Sequence, residues 1–249
     1  MRSLTRAAQA VLVPYVVSRV VVIGALETIR HVVATRHFAV PIETHSGLLA
    51  WDASWYRDIA RSGYDGVASE GLRFFPVFPL LSRVVAWLPG VSAGAGVVLV
   101  ANASALALGF ALYKLVLHER DDPELARRAV WLVYLVPPAF VLVMGYAEAL
   151  FMTFAALVLL GLRSRRWVLA AAFGFLAGLT RPVGVLLAVP AAVEGWQRRD
   201  AKAAVPVVAP ALGLLTYLVW AARRTHDFWY PLRSQQDPTR RGHWVDPVR

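Results

Sequence analysis

The chain of 249 residues contains no cysteine, and only two of its 26 basic residues are lysine. Without a thiol there is no disulfide, no cysteine-ligated metal site and no thiolate nucleophile. Charge is scarce as well: Asp, Glu, Lys and Arg make up 17% of the sequence, against about 25% in soluble domains. The six histidines show no HxxxH or comparable spacing, so no built-in metal site and no cofactor is expected. Walker, GxSxG and Rossmann patterns are missing too, which argues against a nucleotide-driven pump or soluble hydrolase chemistry.

What the chain does have is apolar sequence, at 58% of residues with a mean hydropathy of +0.53. Apolar runs alternate with short charged clusters. A run of about 20 apolar residues crosses the hydrocarbon core as a helix, so the fold class expected is an all-α integral membrane protein, a multi-pass helix bundle. The net charge of +10 does not indicate nucleic acid. The basic residues stand in small groups at the ends of apolar segments, where they anchor a helix at the membrane surface. Membrane lipids, not nucleic acid, are the partners this implies.

About seven membrane segments are expected in a single domain, 1–249: 8–29, 93–117, 129–143, 147–162, 168–180, 183–193 and 203–222. The basic N-terminus resembles a signal peptide, but Arg19 interrupts its apolar stretch and no clear cleavage site follows, so it reads as a retained first helix. An outer loop covers 30–92. Within it FFPVFPLLSRVVAWLPG, 74–90, reads as an amphipathic helix on the membrane surface. A polar and aromatic tail, 223–249, includes DFWYPLRSQQ, which either covers a site or forms an interfacial belt. Short connections on one side carry arginine (HERDDPELARR, RSRR, QRRDAK). The turn at 144–146 on the other side has none, and the next has only Arg181. The positive-inside rule then puts the N-terminus in the cytoplasm of a multi-pass plasma-membrane protein and the long loop outside.

In that loop lies WDASWYRDIARSGYDG, 51–66, with three aspartates, two arginines and four large aromatics. Asp52 has two readings. It is an N-cap accepting backbone N–H groups, or a general base at the mouth of the bundle. Trp51, Trp55 and Ile59 recur at spacing four and form one apolar face; Tyr56 shares a face with Asp52. Asp58 and Arg61 are spaced for a surface ion pair.

Charges inside apolar sequence are costly unless paired. Glu148, in YAEALFMTF, either meets an arginine in a site or serves a structural pair. Arg181, at a break flanked by Pro182 and Gly184, either holds an anionic group or snorkels to the interface. Arg73 is a second anion-binding candidate or an ordinary loop charge. Arg19 partners an acid or a phosphate, or is paired for packing. Asn102 and Ser104 read as interhelical hydrogen bonds.

The pattern WD at 51–52, WY at 55–56, IA at 59–60, GY at 63–64 and FFPVFPLL at 74–81 resembles the first outer loop of the PIG-V-like mannosyltransferases, integral membrane glycosyltransferases of the GT-C class. GYAEALF, 145–151, resembles that family's Tyr-Ser-Glu-Ser-Leu-Phe segment, with Ala147 and Ala149 in place of the serines. LTRPVGV, 179–185, resembles its Arg-Ser-Asn-Gly turn only at Arg181 and Gly184. The resemblance implies transfer of a sugar, mannose first, from a polyprenyl-phosphate-linked donor on the non-cytoplasmic side with inversion. The acceptor would be an envelope glycan, glycolipid or protein. It implies Asp52 as base, Arg181 and Arg73 at the donor phosphate, and Glu148, Tyr146, Tyr56, Trp51 and Trp55 as support. Members of the family continue through further membrane helices, so a short or C-terminally truncated member is expected. The competing expectation is a non-catalytic lipid-phosphate-binding transporter or assembly subunit.

Overall fold

The computed structural model describes residues 2–36 and 45–236, and all regular structure among them is helical. Residues 37–44 of the expected outer loop and 237–249 of the expected tail lie outside the described residues. Three helices are long and apolar enough to cross a membrane: Arg6–Thr35, Ala93–Arg120 and Ala201–Thr225.

Helix α1 (Arg2–Thr35) is longer than the 8–29 segment expected. It buries Ala10, Val11 and Ser18 but leaves Val13, Val16, Val20 and Val21 exposed. In water that face would be a liability; against lipid it costs nothing. Helix α2 (Asp52–Ser62) and helix α3 (Val77–Val85) fill the interval before the next long helix. Tyr56, Ile59, Phe74 and Phe78 pack with Val97 and Val100 of α4 (Ala93–Arg120) in one core. α3 keeps Leu80, Leu81 and Val84 exposed, with Trp87 and Leu88 just beyond its end. Its exposed side is therefore apolar.

Local signals set the next boundaries. Ser92 caps α4, its Oγ accepting from the Ala95 N–H at 3.1 Å. Asp122 caps α5 (Pro123–Leu135) by accepting from the Glu124 and Leu125 N–H groups, with Pro123 in the first turn. The span expected at 129–143 is therefore displaced. Its helix begins at Pro123, stops at Leu135, and gives way to a 3-10 turn, Pro137–Leu142. Pro137 and Pro138 lack the N–H groups that would continue it.

Helices α6 (Glu148–Arg163), α7 (Trp167–Thr180), α8 (Ala188–Arg198), α9 (Ala204–Thr225) and the short α10 (Tyr230–Arg233) complete the fold. The expected span 183–193 is a 3-10 turn, Pro182–Leu187, running into α8. α6 and α7, with 16 and 14 residues, reach only about 24 and 21 Å at 1.5 Å per residue. α7 meets α9 through small residues. A Cβ on Gly178 would overlap the Pro210 carbonyl, and one on Gly213 would overlap that of Phe175. Gly174 and Gly178 are four apart, the spacing that lets membrane helices touch backbone to backbone.

Contacts then sort the chain into two ends. At one, Arg163 of α6 binds Glu119 of α4 at 2.5 Å and Glu194 of α8 at 2.6 Å. Arg198 also holds Glu194, whose side chain is only 6% exposed. Trp167 Nε1 donates to Asp200 there at 2.9 Å. The short arginine-bearing connections lie at this basic end. At the other end Arg224 of α9 pairs with Asp65, just beyond α2.

Candidate active site

A cavity of about 280 Å³ opens at the end opposite the basic one. Asp52, Tyr56, Arg73, Tyr146, Glu148 and Arg181 line it, six residues that the sequence alone singled out from four separate segments. Phe74, Phe75, Thr180, Pro182 and Gln235 complete the lining.

Asp52 is the first residue of α2, and its side chain is 56% exposed. It is not the N-cap. Trp51 holds that position, at φ 55° and with no side-chain capping bond. A bulky residue at positive φ is strained by an order of 1–3 kcal/mol. The strained turn leaves the Asp52 carboxylate free of backbone N–H groups and on the cavity. Its Oδ1 stands 3.6 Å from Arg73 Nη2, close enough for attraction and too far for a direct hydrogen bond.

Arg73 ends a 3-10 turn, Ser69–Arg73, with its side chain only 17% exposed. The guanidinium lies over Phe74 at 4.7 Å and near Trp55 at 5.4 Å, cation–π contacts that hold a desolvated charge. Two tyrosines clamp the backbone on either side of it. Tyr217 of α9 donates to the Leu72 carbonyl at 2.8 Å, and Tyr64 donates to the Phe74 carbonyl at 2.6 Å. Burial, then the neighbouring Tyr217, pushes the Tyr64 phenol well above its ordinary pKa, so it remains a donor.

Glu148 opens α6, where a carboxylate also meets the positive end of the helix dipole. One of its oxygens binds the Arg181 guanidinium. The other, Oε2, is buried and has no hydrogen-bond partner among the described residues. Arg181 follows α7 in extended conformation, φ −153° and ψ 143°, as the residue before a proline prefers. Burial acts against its charge, but Glu148, Tyr56 and Asp52 together more than offset this and its pKa is raised.

Tyr146 and Tyr56 are both protonated donors at neutral pH. Burial and then the charge of Asp52 push Tyr146 up to about 12. Burial and then Glu148 push Tyr56 further still. The turn carrying Tyr146 is held from behind. Arg19 Nη2 donates to the Leu142 carbonyl at 3.0 Å, Asn102 Nδ2 to the Val143 carbonyl at 2.9 Å, and the Gly145 N–H to the Leu48 carbonyl at 2.9 Å. A Cβ at Gly145 would stand 2.5 Å from Val97 Cγ1, so glycine is required there. Arg19 also donates to Asn102 Oδ1 at 3.0 Å and lies over Tyr15. Among the described residues it meets neutral acceptors and no acid. The link at Ser104 runs through its carbonyl, which accepts from Thr153 at 2.7 Å.

Two of the residues singled out do not line the cavity. Trp51 is 60% exposed at the cap, and Trp55 stacks on Phe74 at 5.8 Å, supporting the aromatic layer under Arg73. The apolar face expected along Trp51, Trp55 and Ile59 is displaced: α2 buries Ala53, Tyr56, Ile59 and Ala60. Packing of Tyr56 edge-on against Phe74 and Phe78, both at 4.9 Å, fixes that rotation. The ion pair expected between Asp58 and Arg61 is replaced by Arg57 Nε on Asp58 at 2.9 Å.

The lining residues not foreseen were next to ones that were. Thr180 and Pro182 flank Arg181, and Phe74 and Phe75 follow Arg73. Gln235 belongs to the segment weighed as a cover: after His226, in left-handed conformation at φ 55°, the chain turns so that α10 packs on the Ser69–Arg73 turn. Among the described residues no group of three His, Asp or Glu side chains is placed to hold a metal ion.

The arrangement is an open carboxylate beside two arginines and two phenols, facing a buried free acceptor. No model of a known protein family matches the chain, and neither does any curated protein or any solved structure.

Proposed function

We propose that this chain is a membrane glycosyltransferase of GT-C type, similar to the PIG-V-like mannosyltransferases, with about seven membrane segments and its cavity on the non-cytoplasmic side. It transfers a sugar, mannose first, from a polyprenyl-phosphate-linked donor to a hydroxyl of an envelope glycan, glycolipid or protein. The observation that supports this most is one cavity joining a water-accessible carboxylate to two arginines at the boundary of an apolar bundle. At about 280 Å³ the cavity is at the small end of ligand sites. It suits a sugar ring and its phosphate, with the polyprenyl chain left in lipid.

In this reading the acceptor hydroxyl gives its proton to an Asp52 oxygen as its own oxygen bonds to the anomeric carbon. The bond from that carbon to the phosphate oxygen breaks, and the electron pair leaves with the phosphate. Negative charge grows on the leaving group, where the fixed positive charges of Arg181 and Arg73 oppose it. Tyr56 and Tyr146 donate to sugar or phosphate oxygens, and Glu148 Oε2 accepts from a sugar hydroxyl while its partner oxygen steadies Arg181. Attack on the face of the anomeric carbon opposite the departing phosphate inverts that centre.

The test is to supply the chain in membranes with a polyprenyl-phosphate-mannose of known anomeric configuration and read the configuration in the product. Inverted product is expected. Retained configuration, or no release of polyprenyl phosphate from well-folded protein, contradicts the reading.

A further inference from the structure

A second cleft, of about 330 Å³, lies at the basic end, away from the active-site cavity. Residues of α4, the end of α6 and the start of α7 line it. Lys114 and His118 are one helical turn apart on α4, and Ser164 and Arg166 come from the α6–α7 turn. Leu157, Leu160 and Leu169 form the apolar part.

The polar groups here are uncommitted. Lys114, His118 and Arg166 make no side-chain hydrogen bond or ion pair among the described residues, and no carboxylate lines the cleft. This contrasts with Arg163 nearby, which is taken by Glu119 and Glu194. Lys114 is exposed and stands inward of the end of its helix. It lies six residues before the end of α4 at Arg120, roughly 9 Å along the axis at 1.5 Å per residue. An exposed ammonium beside apolar surface can reach out to the level of a lipid phosphate. The surface next to the cleft is apolar and open, with Val168 80% exposed and Leu169 also exposed. A soluble phosphate compound would have no use for that surface; acyl chains would.

We infer that this cleft binds an anionic phospholipid, its phosphate on Lys114, Arg166 and the Ser164 and His118 donors, its chains along the leucines. The site is independent of the glycosyl-transfer reading, since no residue is shared.

The test is native mass spectrometry of the full chain in detergent with phosphatidylglycerol or phosphatidylcholine added, and with inorganic phosphate as a competitor. Phosphatidylglycerol is expected to be retained preferentially. Retention should fall roughly fivefold for each cation removed in Lys114→Ala and Arg166→Ala. Lys114→Arg should keep it. Ser164→Trp fills the cleft and leaves both cations in place, so it should lose retention as well, and it decides the matter if an alanine variant does not fold. Equal retention of the two lipids, unchanged retention in both alanine variants or in Ser164→Trp, or displacement by equimolar inorganic phosphate would overturn the assignment.

Discussion

At the scale of single residues the cavity is a set of charges whose freedom has been removed. Arg181 is fixed by Glu148 and by the proline after it, and Arg73 by two clamped carbonyls and an aromatic bed. Fixed donors stabilise charge that appears in a transition state better than mobile ones, because no reorganisation is needed when the reaction occurs. Arg181→Gln should therefore lower kcat by about 10²–10³-fold, the usual loss for one such donor, with a smaller change in KM. Steady-state transfer rates over a range of donor concentration check this. A change confined to KM would make Arg181 a docking residue only.

Much of this was legible in the sequence because charge inside apolar sequence is conspicuous: Glu148 and Arg181 stand out among alanines, leucines and valines, and Asp52 and Arg73 bracket an aromatic loop. The Arg19 and Asn102 supports were visible as polar residues, but not their target. That depends on the 142–145 backbone coming within 3.0 Å, which no spacing encodes. The rotation of α2 was not legible either. Spacing four pointed to Trp51, Trp55 and Ile59, whereas Phe74 and Phe78, from the following loop and helix, turn Tyr56 inward.

At the scale of elements, two contacts carry distinct predictions. The α7–α9 crossing has no room for a side chain at Gly178, whereas a Cβ at Gly24 in α1 meets nothing within 4 Å. Gly178→Ala should destabilise the bundle by about 1–3 kcal/mol through overpacking. Gly24→Ala should be neutral or stabilise it by about 1 kcal/mol, since alanine is the better helix former. Thermal unfolding of the two variants in the same detergent separates them; equal midpoints would show that the helices do not touch as described.

The start of α5 responds to pH. Hydrogen bonds from Arg127 and Arg128 lower the Glu124 carboxyl from 4.5 to about 2. A depressed folded-state value means that the carboxylate stabilises the fold above the ordinary pKa, and that this contribution fades as pH falls from about 4.5 to about 2. The stability difference between wild type and Glu124→Gln should accordingly be present at neutral pH and close across that window. Thermal midpoints of both proteins along an acid titration check this. A difference independent of pH would remove the ion pairs as its cause.

At the scale of the whole molecule, the chain separates an arginine-rich end from a cavity end. Charge spacing showed the first of these. The second depends on residues far apart in sequence coming together, from Asp52 to Gln235, by the folding back of α9 and α10. The absence of cysteine makes sidedness easy to test with single introduced thiols. Ser62→Cys, beside the cavity end, should react with an impermeant maleimide in intact cells. Arg199→Cys, at the basic end, should react only after permeabilisation. The reverse pattern would place the cavity in the cytoplasm and contradict the proposed topology.

The central claim is that Asp52 takes the proton of an acceptor hydroxyl during sugar transfer. The most direct measurement is the rate at which labelled mannose passes from polyprenyl-phosphate-mannose into product, in membranes carrying wild type or Asp52→Asn at equal folded amounts. Loss of a well-placed base predicts a fall of about 10²–10⁴-fold with donor binding kept. Transfer by Asp52→Asn at the wild-type rate would contradict the account. It would leave the cavity as a site that holds a lipid phosphate by its arginines alone.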